Sequence, residues 1–334
     1  MTATTSAVGA TASGVSALML AAAQLPAVLA RDVWNTSVLE SGPGHYVTGV
    51  TNGMFGARNA GRGTGEEMTV RIRRRPVTLD RPSLAAAFPE ASSRLVVFLH
   101  GLVETERSWF RGAGPDADFG ARLAGDLGTS AVYVRYNSGR HVSENGSDLV
   151  TLLTRLTAAW PVPVKDIVLI GHSMGGLVVR SALHQAQERR VSWLSRVTRL
   201  VCLGTPHNGA PLERRVAQLA GLLGKSFLTT PLARLLATRS DGIQDLAHGH
   251  VADARQAIGR LPDTGSGVRR LFVSATLSHT EGSTWGRLIG DLLVSPVTAA
   301  DLTEDADTVW LGGLNHFALL HDQAVYETLS GWLR

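Results

Sequence analysis

The sequence predicts an α/β domain built on a mainly parallel sheet with helices on both faces, and three observations predict it. Short apolar runs recur at Arg94–Leu99, Ala131–Arg135, 166–170, 198–204, 269–275 and 308–312. Several are continuous rather than alternating, as a strand buried on both faces requires. Helical patterns lie between most of these runs, and strand–helix alternation of this kind builds parallel sheets with right-handed crossovers. Finally, the apolar run Asp166-Ile167-Val168-Leu169-Ile170 passes through Gly171-His172-Ser173-Met174-Gly175-Gly176 straight into the helix-like Leu177–Leu183. That is a strand, a G-x-S-x-G turn and a helix.

Taken in order, residues 1–40 form an alanine-rich, helical N-terminal segment with no charged side chain before Arg31. Its apolar stretch from Val15 to Ala30 is broken by Gln24 and Pro26, and it is too short for a membrane span. Peripheral contact with a membrane surface through this segment is the expectation. A cytoplasmic location is favoured over export, because a secretory signal needs a positive n-region and no basic side chain supplies one. Residues 41–65, rich in Gly, Asn and Thr, read as a connector opening the second unit, 41–334.

Met68–Leu79 alternates enough to be an early strand, with Asp80-Arg81-Pro82 as its turn. Helices are expected around Asp118–Leu127 and Asp148–Trp160. Residues 209–262 depart from the strand–helix rhythm: Val216, Leu219, Leu222, Leu223, Leu228, Leu232, Leu235 and Leu236 recur among polar residues. They read as amphipathic helices inserted after a strand, forming a cap over the carboxyl edge of the sheet. A terminal helix follows Asp322.

Composition narrows the function classes. A hydrophobic fraction of 44% and a charged fraction of 18% belong to a globular chain. The net charge of +4 comes from arginine, since Lys165 and Lys225 are the only lysines. The densest basic cluster, Arg71, Arg73, Arg74 and Arg75, falls on one strand-like segment and reads as a solvated edge, so nucleic acid is not an expected partner. Cys202 is the only cysteine, which rules out an intrachain disulfide, and in Leu200-Val201-Cys202-Leu203 it reads as a small buried hydrophobe.

Ser173 is the residue on which chemistry converges. In so sharp a turn the serine takes a strained backbone conformation, and Gly171 and Gly175 leave room for it. The hydroxyl then stands above the sheet, where the following helix aims its unpaired N–H groups and positive end. A serine hydroxyl needs a base, and the base needs an acid to fix its tautomer. In a parallel sheet all three come from loops at the carboxyl ends of strands. His316, four residues beyond the run Thr308–Gly312, is the expected base, with His321 left as a surface or capping residue. Asp291, in the loop after 269–275, is the preferred acid. Asp305 and Asp307 precede a strand and belong at the opposite edge, while Asp241 and Asp245 sit within the cap. The chain order is therefore Ser173, Asp291, His316. Backbone N–H groups of Met174 and of Leu102, the latter following His100-Gly101 at the end of a strand, are the expected oxyanion donors. His100 and His172 read as loop-fixing and packing residues.

Together these residues resemble the α/β-hydrolase superfamily. The segment Val201–Pro211, with Thr205-Pro206-His207-Asn208-Gly209, is similar to the T-P-H-x-G segment of bacterial triacylglycerol lipases and glycosylphosphatidylinositol-inositol deacylase-like hydrolases. Tyr136–His141, Gly171–Arg180 and Asn315–Leu320 follow the same pattern, and the likeness is good from about residue 94 to the end. The resemblance implies serine hydrolase chemistry with Ser173 as nucleophile, His316 as base and Asp291 as acid, while the apolar cap and the few charges near the motifs favour carboxylic esters with lipid-like or hydrophobic acyl groups. The sequence departs from that group in carrying Leu292, where a glycine more often follows the aspartate. No cofactor is expected, and Asp301, Asp305 and Asp307 lack the loop spacing of a calcium site, so no metal is expected. Two rival readings keep the fold: an acyltransferase using the same triad with an alcohol acceptor, and a noncatalytic binding protein with the cap as its interaction surface. Oligomeric state is not legible in the sequence.

Overall fold

The computed structural model describes residues 66–110, 118–207, 267–276 and 306–334, together with Gly49 and Asn52. The N-terminal segment 1–40, the cap at 209–262 and Asp291 lie outside the described residues. Among the described residues, eight strands form one sheet: β1 Thr69–Ile72, β2 Arg75–Pro76, β3 Arg94–Leu99, β4 Ser130–Arg135, β5 Asp166–His172, β6 Val197–Leu203, β7 Arg269–Thr276 and β8 Ala306–Gly312. Their order across the sheet is β2-β1-β4-β3-β5-β6-β7-β8. From β4 to β8 every neighbouring pair is parallel, and only β1 runs antiparallel to its neighbours β2 and β4. The predicted α/β architecture, mainly parallel, is the observed one.

Strand alternation sorts the core into two halves. Leu95, Val97 and Leu99 of β3, with Ile167 and Leu169 of β5, face a cluster that includes Leu149 and Leu153 of helix α3 (Val142–Ala159) and Leu177 and Val178 of helix α4 (Met174–Glu188). Val96 and Phe98, with Val168 and Ile170, face the other cluster. It holds Phe119 and Leu123 of helix α2 (Phe119–Leu127) and Val325 and Leu329 of helix α5 (Gln323–Leu333). All five residues from Leu95 to Leu99 are buried, so the continuous apolar run marks a strand covered on both faces. Among the described residues no helix is long and apolar enough to cross a membrane.

Three local expectations are corrected. The early strand over 68–79 is a hairpin: β1 and β2 are joined by Arg73 and Arg74, both with positive φ (47° and 73°). Arginine gives no turn signal in the sequence, and the basic cluster is thus split: Arg75 lies on the edge strand β2, Arg73 and Arg74 form the turn, and Arg71 lies on β1, ion-paired to Glu66 at 3.2 Å. The segment Asp80-Arg81-Pro82 starts a helix, α1 (Arg81–Ala87): Asp80 is its N-cap, its carboxylate accepting from Ser83 N–H at 2.8 Å, with proline in the first turn where no N–H is missed. Helix α3 begins at Val142, six residues earlier than expected. Its first turns contain Asn145 and Gly146, both poor helix formers. Gly146 is there for contact, since a Cβ at that position would lie 2.4 Å from Ser181 Oγ on α4.

Candidate active site

The carboxyl ends of β3, β5 and β6 and the loop after β8 converge on Ser173. The turn between β5 and α4 holds Ser173 at φ 52°, ψ −121°, a conformation that costs a non-glycine residue of order 1–3 kcal/mol. Two contacts hold the strained turn in place. Ser173 N–H donates to Leu203 O of β6 at 2.8 Å, and Gly176 N–H closes the first helical turn on Ser173 O at 3.1 Å. The glycines around it are steric requirements. A Cβ at Gly171 would sit 2.4 Å from Gly176 N, and one at Gly175 would sit 2.5 Å from His100 O. The strand-to-helix reversal can therefore be this tight only without side chains at either position.

Beside Ser173 lies the loop that leaves β3. A Cβ at Gly101 would be 3.1 Å from Ser173 Cβ, so the backbone just before Leu102 runs against the serine. The loop is pinned by Gly101 N–H donating to Glu104 Oε2 at 2.7 Å and by Val103 N–H donating to Ser138 Oγ at 3.2 Å. Val103 itself has positive φ (56°). Among the described residues, neither Leu102 N–H nor Met174 N–H is taken up by a protein acceptor. Two expected oxyanion donors thus remain available on either side of Ser173.

His316 follows β8 and is buried at the same rim. Asn315 shapes its turn, the side-chain oxygen accepting from Phe317 N–H and Ala318 N–H, each at 3.0 Å. The imidazole packs 4.6 Å, centroid to centroid, from that of His172, the residue before the serine. It also packs over Gly204, where a Cβ would come within 2.8 Å of the ring carbon Cε1. The structure therefore brings Ser173, Met174, Leu102 and His316 to one place. Asp241, Asp245 and Asp305, like Asp291, fall outside the described residues. Asp307 is where the strand argument put it, at the amino end of β8, bound to Arg269 at 3.3 Å and to Trp332 Nε1 at 2.6 Å. His321 caps a short 3₁₀ turn, and Asp322 is the N-cap of α5, accepting from Ala324 N–H at 2.8 Å.

His100 is held by two backbone groups. Tyr136 N–H donates to its Nε2 at 3.3 Å, which leaves the ring proton on Nδ1, 2.9 Å from Gly101 O. Tyr136 stacks on the ring at 4.3 Å, and burial pushes the imidazole pKa down to about 4. It is a neutral, loop-fixing histidine. Cys202 is buried in β6, and burial raises its thiol to about 12, so it behaves as the small hydrophobe expected.

Two features had no sequence signal strong enough to single out. Glu104 is a buried carboxylate within the loop after β3, bound to both Gly101 N–H and His172 Nδ1. Its only pointer is its position three residues past Gly101. Arg180, two turns into α4, is fully buried against His207 Nδ1 at 2.8 Å, and burial lowers its pKa to about 10. Among the described residues, no group of three or more His, Cys, Asp or Glu side chains is arranged to hold a metal ion.

Comparison with known proteins agrees with this architecture. A protein-family model described as a PGAP1-like alpha/beta domain matches residues 136–233, a stretch that contains the strand–turn–helix around Ser173. The chain is similar to the mature form of the lipase BlEst2 from Bacillus licheniformis, at 21% identity and a TM-score of 0.52, over 72% of this chain and 91% of that one. Its propeptide form is similar at 22% identity and a TM-score of 0.50, over 72% of this chain and 50% of that one. A comparison with curated proteins gave no sequence match. The fold is that of the α/β hydrolases.

Proposed function

We propose that this chain is a serine hydrolase that cleaves carboxylic esters through an acyl-enzyme on Ser173. The observation that carries the reading is the strained Ser173 turn, with the His316 loop folded against it and two uncommitted N–H groups at its sides. The similarity to a lipase fold supports the same chemistry.

In this mechanism His316 takes the Ser173 proton as the hydroxyl attacks the ester carbonyl. Met174 N–H, at the positive end of α4, and Leu102 N–H hold the oxyanion. His316 then protonates the leaving alcohol and activates the water that releases the acid. Asp291 is the proposed acid that fixes the His316 tautomer. The substrate proposed is an ester with a hydrophobic acyl chain, because leucines recur throughout the segment 209–262. A cytoplasmic protein touching a membrane surface through residues 1–40 is the accompanying proposal.

Turnover of a chain-length series of p-nitrophenyl esters by wild type and Ser173→Ala tests the reading. Loss of turnover in a folded Ser173→Ala variant is expected, and retained hydrolysis would remove Ser173 from the mechanism. Product analysis with a competing alcohol separates hydrolysis from acyl transfer.

A further inference from the structure

We infer that Glu104 and His172 form a buried proton-sharing pair that positions the oxyanion loop and the base loop against Ser173. The inference rests on the hydrolase reading for the names of those two loops, but its geometry stands by itself. Glu104 and His172 are both buried, at 4% and 0% exposure. One carboxylate oxygen, Glu104 Oε2, meets Gly101 N–H at 2.7 Å and His172 Nδ1 at 3.0 Å. On the far side of the ring, His172 Nε2 meets the backbone carbonyl of His316 at 3.2 Å. A single chain of contacts thus runs from the loop bearing Leu102, through the residue before the nucleophile, to the main chain of the proposed base.

The chemistry of the acceptors fixes where protons sit. A carbonyl oxygen only accepts, so His172 Nε2 must carry a proton. Gly101 N–H only donates, so Glu104 Oε2 accepts there. The contact between Oε2 and Nδ1 then holds one more proton, shared as carboxylate with imidazolium or as carboxylic acid with neutral imidazole. Either form keeps all three hydrogen bonds. A carboxamide at 104 cannot: with its oxygen accepting from Gly101 N–H, it offers no proton and no compensating charge to Nδ1. The ring is further boxed by Trp109 and Phe317, at 6.4 and 6.5 Å between centroids, and by His316 at 4.6 Å. Glu104 and His172 touch no reacting atom in this scheme. They are positioning residues, and shifts of about 1 Å in what they hold cost on the order of 100-fold in rate.

Two measurements on the full chain test the pair. Long-range ¹H–¹⁵N spectra of histidine-labelled protein should show His172 protonated at Nε2, with its ring signals displaced in Glu104→Gln. An unprotonated Nε2, or ring signals identical in the variant, would overturn the pair, and the wild-type spectrum decides this even if substitutions at 104 fail to fold. Ester turnover, divided by sites titrated with a fluorophosphonate, should fall about 10- to 100-fold in kcat for Glu104→Gln and for His172→Ala. KM should stay within about twofold, and the double variant should be no slower than about threefold below the slower single, as expected of residues acting as one unit. Wild-type kcat per titrated site in Glu104→Gln would reduce the pair to a stability element and overturn the inference. Failure of the hydrolase reading shows separately, as turnover retained in Ser173→Ala, and leaves the spectra to decide the pair.

Discussion

Replacing Gly175 by alanine introduces one methyl group where α4 crosses the end of β3 beside the nucleophile. The new Cβ would lie 2.5 Å from His100 O and 2.7 Å from Leu99 O, both main-chain atoms at the end of a buried central strand. Ordinary contact begins at 3.4 Å, so α4 and β3 must separate by nearly 1 Å. Overpacking of this kind costs about 1–3 kcal/mol of stability. The separation also moves Met174 N–H away from the loop bearing Leu102, and a displacement near 1 Å costs on the order of 100-fold in rate, about 2.7 kcal/mol of transition-state stabilisation. The control is the same chemical change at Gly125, an exposed position on α2 where a Cβ meets nothing within 4 Å. Gly125→Ala should raise stability by about 0.5–1 kcal/mol through helix propensity and leave kcat unchanged. Urea denaturation and kcat per fluorophosphonate-titrated site read both variants. Gly175→Ala with kcat within about twofold of wild type would refute the claim that this crossing sets the oxyanion geometry.

Cys202 should resist iodoacetamide in the folded protein, because burial pushes its thiol up to about 12, and should react only on denaturation; rapid labelling of native protein by mass spectrometry would contradict its burial. Stability should fall as pH drops from 6.5 towards 4, because His100, held near 4 in the fold by burial, stays neutral there while the unfolded chain takes up the proton. His207, lowered in the same direction, adds to the loss. For His100 the contribution is fully present above 6.5, and roughly 3 kcal/mol of it is lost once pH has fallen through 4. Urea midpoints from pH 7 to 4 should show a shallower slope in His100→Gln, and an unchanged slope would reject this origin. Arg180→Met should leave stability unchanged or raise it, because the guanidinium is fully buried and, among the described residues, Nε and Nη2 are unbonded and no carboxylate lies beside it. A loss above about 3 kcal/mol in chemical denaturation would mean that an anion compensates the buried charge.

Legibility in the sequence followed the strength of the local signal. β3 and β5 were readable because strands covered on both faces leave continuous apolar runs, and the turn at Ser173 because its glycines are steric necessities that cannot be replaced. Helix α2 was readable from Asp118 to Leu127, where an aspartate cap and the left-handed Gly128 bracket it. The hairpin turn at Arg73 and Arg74 was not, because arginine in a left-handed turn has no compositional mark. The start of α3 was hidden because Gly146 obeys a contact with Ser181 rather than helix propensity. Strand-end logic placed His316 at the rim and Asp307 at the opposite edge without any knowledge of contacts. Glu104 escaped because its role exists only once three loops, distant in sequence, have met around His172.

The most direct test of the central claim is the mass and location of a fluorophosphonate adduct. One phosphonyl group per chain is expected, mapped to Ser173 by peptide sequencing, with labelling slowed by orders of magnitude in His316→Ala. An adduct on another residue, or folded wild-type protein that takes up no probe, would contradict it.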